Sequence, residues 1–260
     1  NVIALCQAAD FVFLGLHGAP GEDGRVQAAF DLLGIRYSGS NYLSSAMAMN
    51  KGVTKQLFLM NGVPTPRGCA MKKGKEIRDP EQLGMHYPLV AKTCCGGSSI
   101  GVYFADNREE FERALDEAFR YEEEVVVEER IIGTEYTVAV IDGEALPIVE
   151  IVPLEGFYDF ENKYKPGATR ETCPAPIPAE AAAKMQKFAV KAFHALGLEG
   201  YARMDFIMKE DGSMVCLEAN TLPGMTPTSL IPQEAAAIGM DYPTLCEKLI
   251  EVSMKKYTDR

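Results

Sequence analysis

The 260-residue sequence predicts a mixed α/β fold of the α+β kind, built from antiparallel hairpins backed by helices. Three observations carry that prediction. Asp142-Gly143 and Asp211-Gly212 each separate two apolar runs, and Asp-Gly turns hairpins readily because Gly accepts positive φ. An apolar run at 11–16 empties into a glycine-rich loop and a helical pattern, which is half of a doubly wound α/β unit. Apolar residues recur at helical spacing over 107–121, 179–196 and 241–256.

In chain order, the run 11–16 reads as a strand covered on both faces. His17-Gly18-Ala19-Pro20-Gly21-Glu22-Asp23-Gly24 follows, then a helix over 25–33 that Gly34 closes as a left-handed cap. Such units bind ligands where the loop leaves the strand, so His17 either meets a substrate carboxylate or bonds its own loop. Ser44 or Ser45 opens a helix reaching Asn61-Gly62, with Lys51 and Lys55 four apart on one face, where solvated lysines are the default. Val63-Pro64-Thr65-Pro66 breaks the helix and marks a lobe boundary. Residues 87–92 form a strand ending in Lys92, and a glycine-serine turn leads to a second strand ending at Phe104. The N–H groups of that turn suit phosphate oxygens, although a plain flexible hairpin reads the same. It is no P-loop, because a strand and not a helix comes next.

Asn107 caps the helix to Tyr121, and a buried strand at 125–127 runs into Glu128-Glu129-Arg130-Ile131-Ile132-Gly133-Thr134-Glu135. Glu128 and Glu135 suit an adenine amino group and ribose hydroxyls; surface carboxylates look identical. Strands 136–141 and 144–152 pair across Asp142-Gly143. Residues 153–178 lack periodicity, as an active-site lid or a disordered linker does, and Phe157, Tyr158, Lys163, Tyr164 and Lys165 favour the lid. A helix over 179–196 capped by Gly197, a short helix to Ile238 and a last helix behind Asp241 complete the chain.

Charge and composition narrow the function. Thirty-seven acidic against 26 basic side chains give a net charge of −11 without a basic tract, which excludes a sizeable nucleic-acid surface. Local lysines still admit an anionic small molecule. No apolar run is long enough to span a membrane, and no leader pattern is present. Seven cysteines, odd in number and without CxxC spacing, read as reduced thiols of a cytoplasmic protein, with Cys94-Cys95 as the alternative of a reactive pair. The chain starts at Asn1 in a partly apolar stretch, so a further upstream segment is expected.

The most informative stretch is 200–230. If Asp211-Gly212 are the two loop residues, Asp205 faces Glu218 and Arg203 faces Asn220, and all four share one face. Facing carboxylates repel unless something positive lies between them. A divalent cation answers this, because Asp205, Glu218 and Asn220 offer only the oxygen ligands that suit Mg²⁺. The alternative is a solvated acidic face neutralised by Arg203.

Taken together, residues 17–24, Met49-Asn50-Lys51, Gly97-Ser98-Ser99-Ile100-Gly101, 133–138, Phe157-Tyr158-Asp159 through Lys163-Tyr164, Arg203-Met204-Asp205 and 217–230 occur in an order that resembles the D-alanine–D-alanine ligases of the ATP-grasp superfamily. The resemblance implies an ATP-grasp fold with nucleotide between two antiparallel sheets, and lobes near 1–50, 51–135 and 136–260. It implies that Lys51 and Lys92 bind ATP phosphates, that Glu128 and Glu135 hold adenine and ribose with Glu129 and Ile131 beside them, and that Lys163 reaches the transferred phosphate. Asp205, Glu218 and Asn220 match the ligands of Mg²⁺, for which Mn²⁺ substitutes. Arg203 and Gly224 match groups that steady the tetrahedral intermediate, Ser229 and Leu230 match positions meeting the second D-alanine carboxylate, and Ser98 and Tyr164 match a pair joining the loop to the lid.

The implied reaction phosphorylates one D-alanine with ATP and joins a second to it, giving D-alanyl-D-alanine for peptidoglycan. D-serine or D-lactate as second substrate, or a nucleotide-binding remnant without turnover, are the alternatives; relatives commonly form homodimers. Two departures stand out. The family's first strand and glutamate-bearing turn have no counterpart here, and Thr93-Cys94-Cys95-Gly96 replaces a proline-led loop.

Overall fold

The computed structural model describes residues 2–97, 101–154 and 168–258, and two antiparallel sheets organise them. The central sheet runs β1-β4-β2-β3, from β1 (Gly68–Lys72), β2 (Leu89–Thr93), β3 (Val102–Ala105) and β4 (Glu124–Glu129). Side chains alternate across it. Val125 and Val127 pack with Leu89 and Ala91 under Phe111 and Leu115 of a helix at Arg108–Ala118, while Val126 and Glu128 turn to the opposite face. Asn107 opens that helix, its Oδ1 accepting from the Glu110 N–H at 3.0 Å.

The second sheet runs β10-β9-β5-β7-β8. Its strands are β5 (Thr134–Ile141), β7 (Val149–Pro153), β8 (Thr169–Thr172), β9 (Tyr201–Met208) and β10 (Met214–Asn220), and the short β6 (Glu144–Ala145) pairs with β5. Val138, Met204, Phe206 and Cys216 form its inner face against Met185 and Phe193 of the helix Ala179–Ala195 and Phe58 of the helix Lys51–Met60. Each fully buried ring, such as Phe58 or Phe206, contributes roughly 1.5–3 kcal/mol. On the outer face Ala139, Ile141 and Tyr201 are covered by Ile231 of Leu230–Ala237 and by Leu245 and Leu249 of Tyr242–Thr258.

Asp142 and Gly143 both adopt positive φ, 56° and 81°, so Ile141 meets Glu144 across the expected two-residue turn. The second Asp-Gly turn differs. Lys209 pairs with Ser213 (N–H to O 2.8 Å), making a three-residue loop with Gly212 at φ 78°, a register one residue away from the two-residue turn. A bulge between Cys216 and Glu218 then shifts the ladder back, so Glu218 does face Asp205 and Asn220 does face Arg203. Two one-residue departures cancel at the site.

Other expectations are corrected. The run 11–16 is extended but makes only a single bridge, Val12 to Tyr37, because it has no neighbouring strand to pair with among the described residues. The helix expected over 44–61 is two helices, Tyr42–Met49 capped by Asn41 and Lys51–Met60 capped by Asn50. Asn50 is extended (φ −86°, ψ 101°), and its Oδ1 accepts from the Val53 N–H, the local bond with which Asn competes against helix. Residues 169–172, expected without structure, form β8, and a helix at Val2–Ala8 and the strand β1 were not read from the sequence.

Candidate active site

Between the cleft faces of the two sheets lies a cavity of about 380 Å³. Lys92, Phe104 and Glu128 line it from the central sheet, and Glu135, Arg203, Asp205, Ile207, Leu217 and Glu218 from the other. Glu129, at the end of β4, and Arg130 and Ile131, on the link between the sheets, also line it. The Arg130 guanidinium lies 4.3 Å from the centre of the Phe104 ring, a stacked wall suited to a planar group.

Strand alternation explains the acidic side. Residues 203, 205 and 207 point away from the Met204 and Phe206 core, and the bulge presents Leu217 and Glu218 together to the cavity. Arg203 grips Asp205 through two hydrogen bonds of 2.9 Å each, and the Thr137 hydroxyl donates to the same carboxylate at 2.7 Å. Lys51 stands 3.2 Å from Glu218 and donates to the Gly96 carbonyl at 2.6 Å. Burial alone pushes the Lys51 ammonium down, yet the Glu218 carboxylate outweighs it and leaves the pKa raised. Asn220 Oδ1 is buried with no hydrogen-bond partner among the described residues.

The basic side is closed differently. Glu128 is 4% exposed, and its two oxygens meet Lys92 at 2.5 Å and Lys55 at 2.8 Å. Burial pushes this carboxyl up, but the two ammonium groups together hold it below the usual range. Lys55 was read as solvated and is in fact 5% exposed, because its helix packs into the core of the second sheet. Glu128, expected on adenine, has both oxygens engaged by protein.

Of the other expected residues, His17 is exposed, and neither it nor Asn220, Gly224, Ser229 or Leu230 lines this cavity. Ser229 precedes the helix Leu230–Ala237, with its Oγ accepting from the Thr226 N–H at 3.0 Å. A Cβ on Gly224 would come within 2.8 Å of that Oγ, so a larger residue there would make the Ser229 hydroxyl turn away. Leu230 is buried, packed with Val149 and Ile151 of β7. Ser98, Lys163 and Tyr164 lie outside the described residues. Glu22 was missed: it accepts from the Gly18 N–H, burial raises its pKa, and the charges of His17, Arg203 and Glu218 act on it.

Comparison with known proteins matches residues 60–251 to the model of the D-ala D-ala ligase C-terminus and residues 1–40 to that of the N-terminus. The chain belongs to the D-alanine–D-alanine ligase family. It is 47% identical over 255 residues to a D-alanine–D-alanine ligase of Nitratidesulfovibrio vulgaris, covering 98% of this chain and 84% of that one. It is 43% identical over 260 residues to the ligase of Pediococcus pentosaceus, covering 100% and 73%. The crystal structure of the Bacillus anthracis ligase complexed with ATP is 35% identical, with a TM-score of 0.87 over 99% of this chain and 84% of that one. The mixed α/β architecture with two antiparallel sheets is that of the ATP-grasp ligases of this family.

Proposed function

We propose that this chain is an ATP-dependent ligase that joins two D-alanines, and that the cavity between its sheets takes the nucleotide. One observation carries the reading: two lysines from the central side and an oxygen-only cluster from the other sheet converge on a single cleft. Phosphates need the first, and a hard divalent cation needs the second.

Asp205, Glu218 and Asn220 fit Mg²⁺. The buried Oδ1 of Asn220, without a partner among the described residues, is the strongest support, because such an atom costs about 1–3 kcal/mol unless something binds it. Arg203 and Lys51 hold the two carboxylates meanwhile. Bound there, Mg²⁺ supplies charge neutralisation for the phosphates. Lys51 and Lys92 orient the transferred phosphate, and the Phe104 and Arg130 wall receives the base. The first D-alanine carboxylate attacks the terminal phosphate of ATP, giving acyl phosphate and ADP; the second amine displaces phosphate and forms the amide. Arg203 faces the charge that develops at the reacting carbonyl. Ser229 and the amino end of the helix Leu230–Ala237 favour the second carboxylate. The product serves peptidoglycan assembly in the cytoplasm; among the described residues no helix is long and apolar enough to cross a membrane.

The test is ADP release from the full chain with ATP and Mg²⁺ on adding D-alanine, D-serine or D-lactate. Release with D-alanine alone, with dipeptide formed, is the expected result. Preference for either other acceptor replaces the substrate assignment, and ATP binding without release overturns turnover. Pairing of two copies through the first lobe, as the family resemblance implies, completes the proposal. A monomer in sedimentation removes that part.

A further inference from the structure

Lys55 is a buried cation that the reading above leaves without a part. All three of its ammonium hydrogens have acceptors: Glu128 Oε2 at 2.8 Å, the Pro66 carbonyl at 2.6 Å and Thr65 Oγ1 at 3.2 Å. An ammonium enclosed in this way is held back from a ligand, so its effect passes through its partners. Glu128 is the first of these, and its other oxygen takes Lys92, which lines the cleft. The second is the strap 63–67. The Pro64 carbonyl accepts from the Cys216 N–H of β10 at 2.7 Å, and the Arg67 carbonyl accepts from the Glu129 N–H of β4 at 2.8 Å, so the strap ties one sheet to the other.

The charges of this cluster do not cancel. Two ammonium groups share one carboxylate, leaving one positive charge, and Lys92 is the ammonium with a face on the cavity. We infer that Lys55 is a positioning residue for the nucleotide phosphates: by occupying half of Glu128, it leaves Lys92 incompletely neutralised and anchors that charge to the strap between the sheets. The inference rests on reading the cleft as the ATP site. Without Lys55, Glu128 and Lys92 close into a neutral pair, and the attraction of Lys92 for phosphate is turned inward.

A pin that merely holds the fold predicts something else. Packing lost at Lys55 is not restored by altering a second buried group, whereas lost charge balance is. The experiment therefore compares the wild-type chain with Lys55→Gln, which keeps hydrogen-bonding capacity but not charge, and with Lys55→Gln/Glu128→Gln, in which Lys92 is again uncompensated. Dissociation constants for ATP and for adenosine are measured by calorimetry, and the readout is their ratio, since adenosine reports base and ribose without phosphate.

Lys55→Gln is expected to weaken ATP roughly tenfold and adenosine less than about twofold, with the double variant regaining most of the wild-type ratio. Equal weakening of both ligands, or a double variant that prefers ATP even less than the single one, overturns the inference. Should Lys55→Gln fail to fold, the double variant alone is compared with the wild type, and loss of the ratio there is decisive against it. Failure of the wild type to bind either ligand defeats the nucleotide reading itself, an outcome distinct from any change confined to the variants.

Discussion

On the central sheet Glu128 is 4% exposed with both oxygens against ammonium groups, whereas on the facing sheet Glu218 keeps 33% of its side chain open and Asn220 holds a buried oxygen without a partner among the described residues. Glu128 and Glu218 both border one cavity, while Asn220 stands outside its lining. The lysine-carboxylate cluster is part of the core and fixes where positive charge stands. The acidic cluster is held in place by Arg203, Thr137 and Lys51, which engage both oxygens of Asp205 and one of Glu218, and its buried Asn220 Oδ1 is the atom without a partner among the described residues. Rigidity on one side and reserve on the other is what a transfer enzyme needs, because binding energy then goes to the reacting groups.

The contrast is broken most forcefully by mutating each side in turn. Glu128→Gln leaves two buried ammonium groups without their carboxylate and is expected to lower stability by about 3–5 kcal/mol in denaturant unfolding. Because the folded-state pKa of Glu128 is lowered, the stability it gives is full above its ordinary value of 4.5 and is lost as pH falls through the lower folded value. The variant should therefore lose an acid-side decline that the wild type shows. Glu218→Gln should do the reverse: turnover falls roughly 100–1000-fold while stability changes by less than about 1 kcal/mol, since its pairing with Lys51 is partly solvated. If the two variants melt alike, the distinction between a finished and a waiting cluster is lost.

A finer comparison follows from Asn220→Ala. It should raise the Mg²⁺ concentration for half-maximal activity by at least about tenfold, with little effect on adenosine binding. An unchanged Mg²⁺ dependence removes Asn220 from the metal assignment. The smallest effect concerns Glu234, fully buried on the same face of the second sheet as Arg203, where Oε2 accepts from the Ala139 N–H at 2.6 Å and Oε1 has no partner among the described residues. Burial raises its pKa well above 4.5. Its contribution is therefore full below 4.5 and fades as pH rises through the folded value. Glu234→Gln keeps the acceptor for Ala139 and should gain about 1 kcal/mol in urea unfolding near pH 8 relative to pH 5. No gain at the higher pH argues that the carboxyl carries little burden there.

Much of the second sheet was legible in the sequence because strand alternation and Asp-Gly turns are local signals. Helix ends at Gly34, Asn107, Gly197 and Asp241 were legible for the same reason. Lys55 was not, since nothing within its helix reveals that Glu128 and Pro66 lie above it. The division of one expected helix at Asn50 was likewise hidden, although it sets Lys51 at a helix start beside the cavity. The opposition of Asp205 and Glu218 was anticipated from an incorrect turn, and it holds through compensation further along the ladder.

That bulge fastens the acids to Leu217 and not to the tip of the hairpin. Taking one residue from the tip would leave Lys209 opposite Ser213 across a two-residue turn, and the pairs beyond would stand as they are. Taking Leu217 out would straighten β10 and end the joint presentation of Leu217 and Glu218 to the cavity, so the hairpin tolerates a change of length at its tip but not in the strand beside the acids.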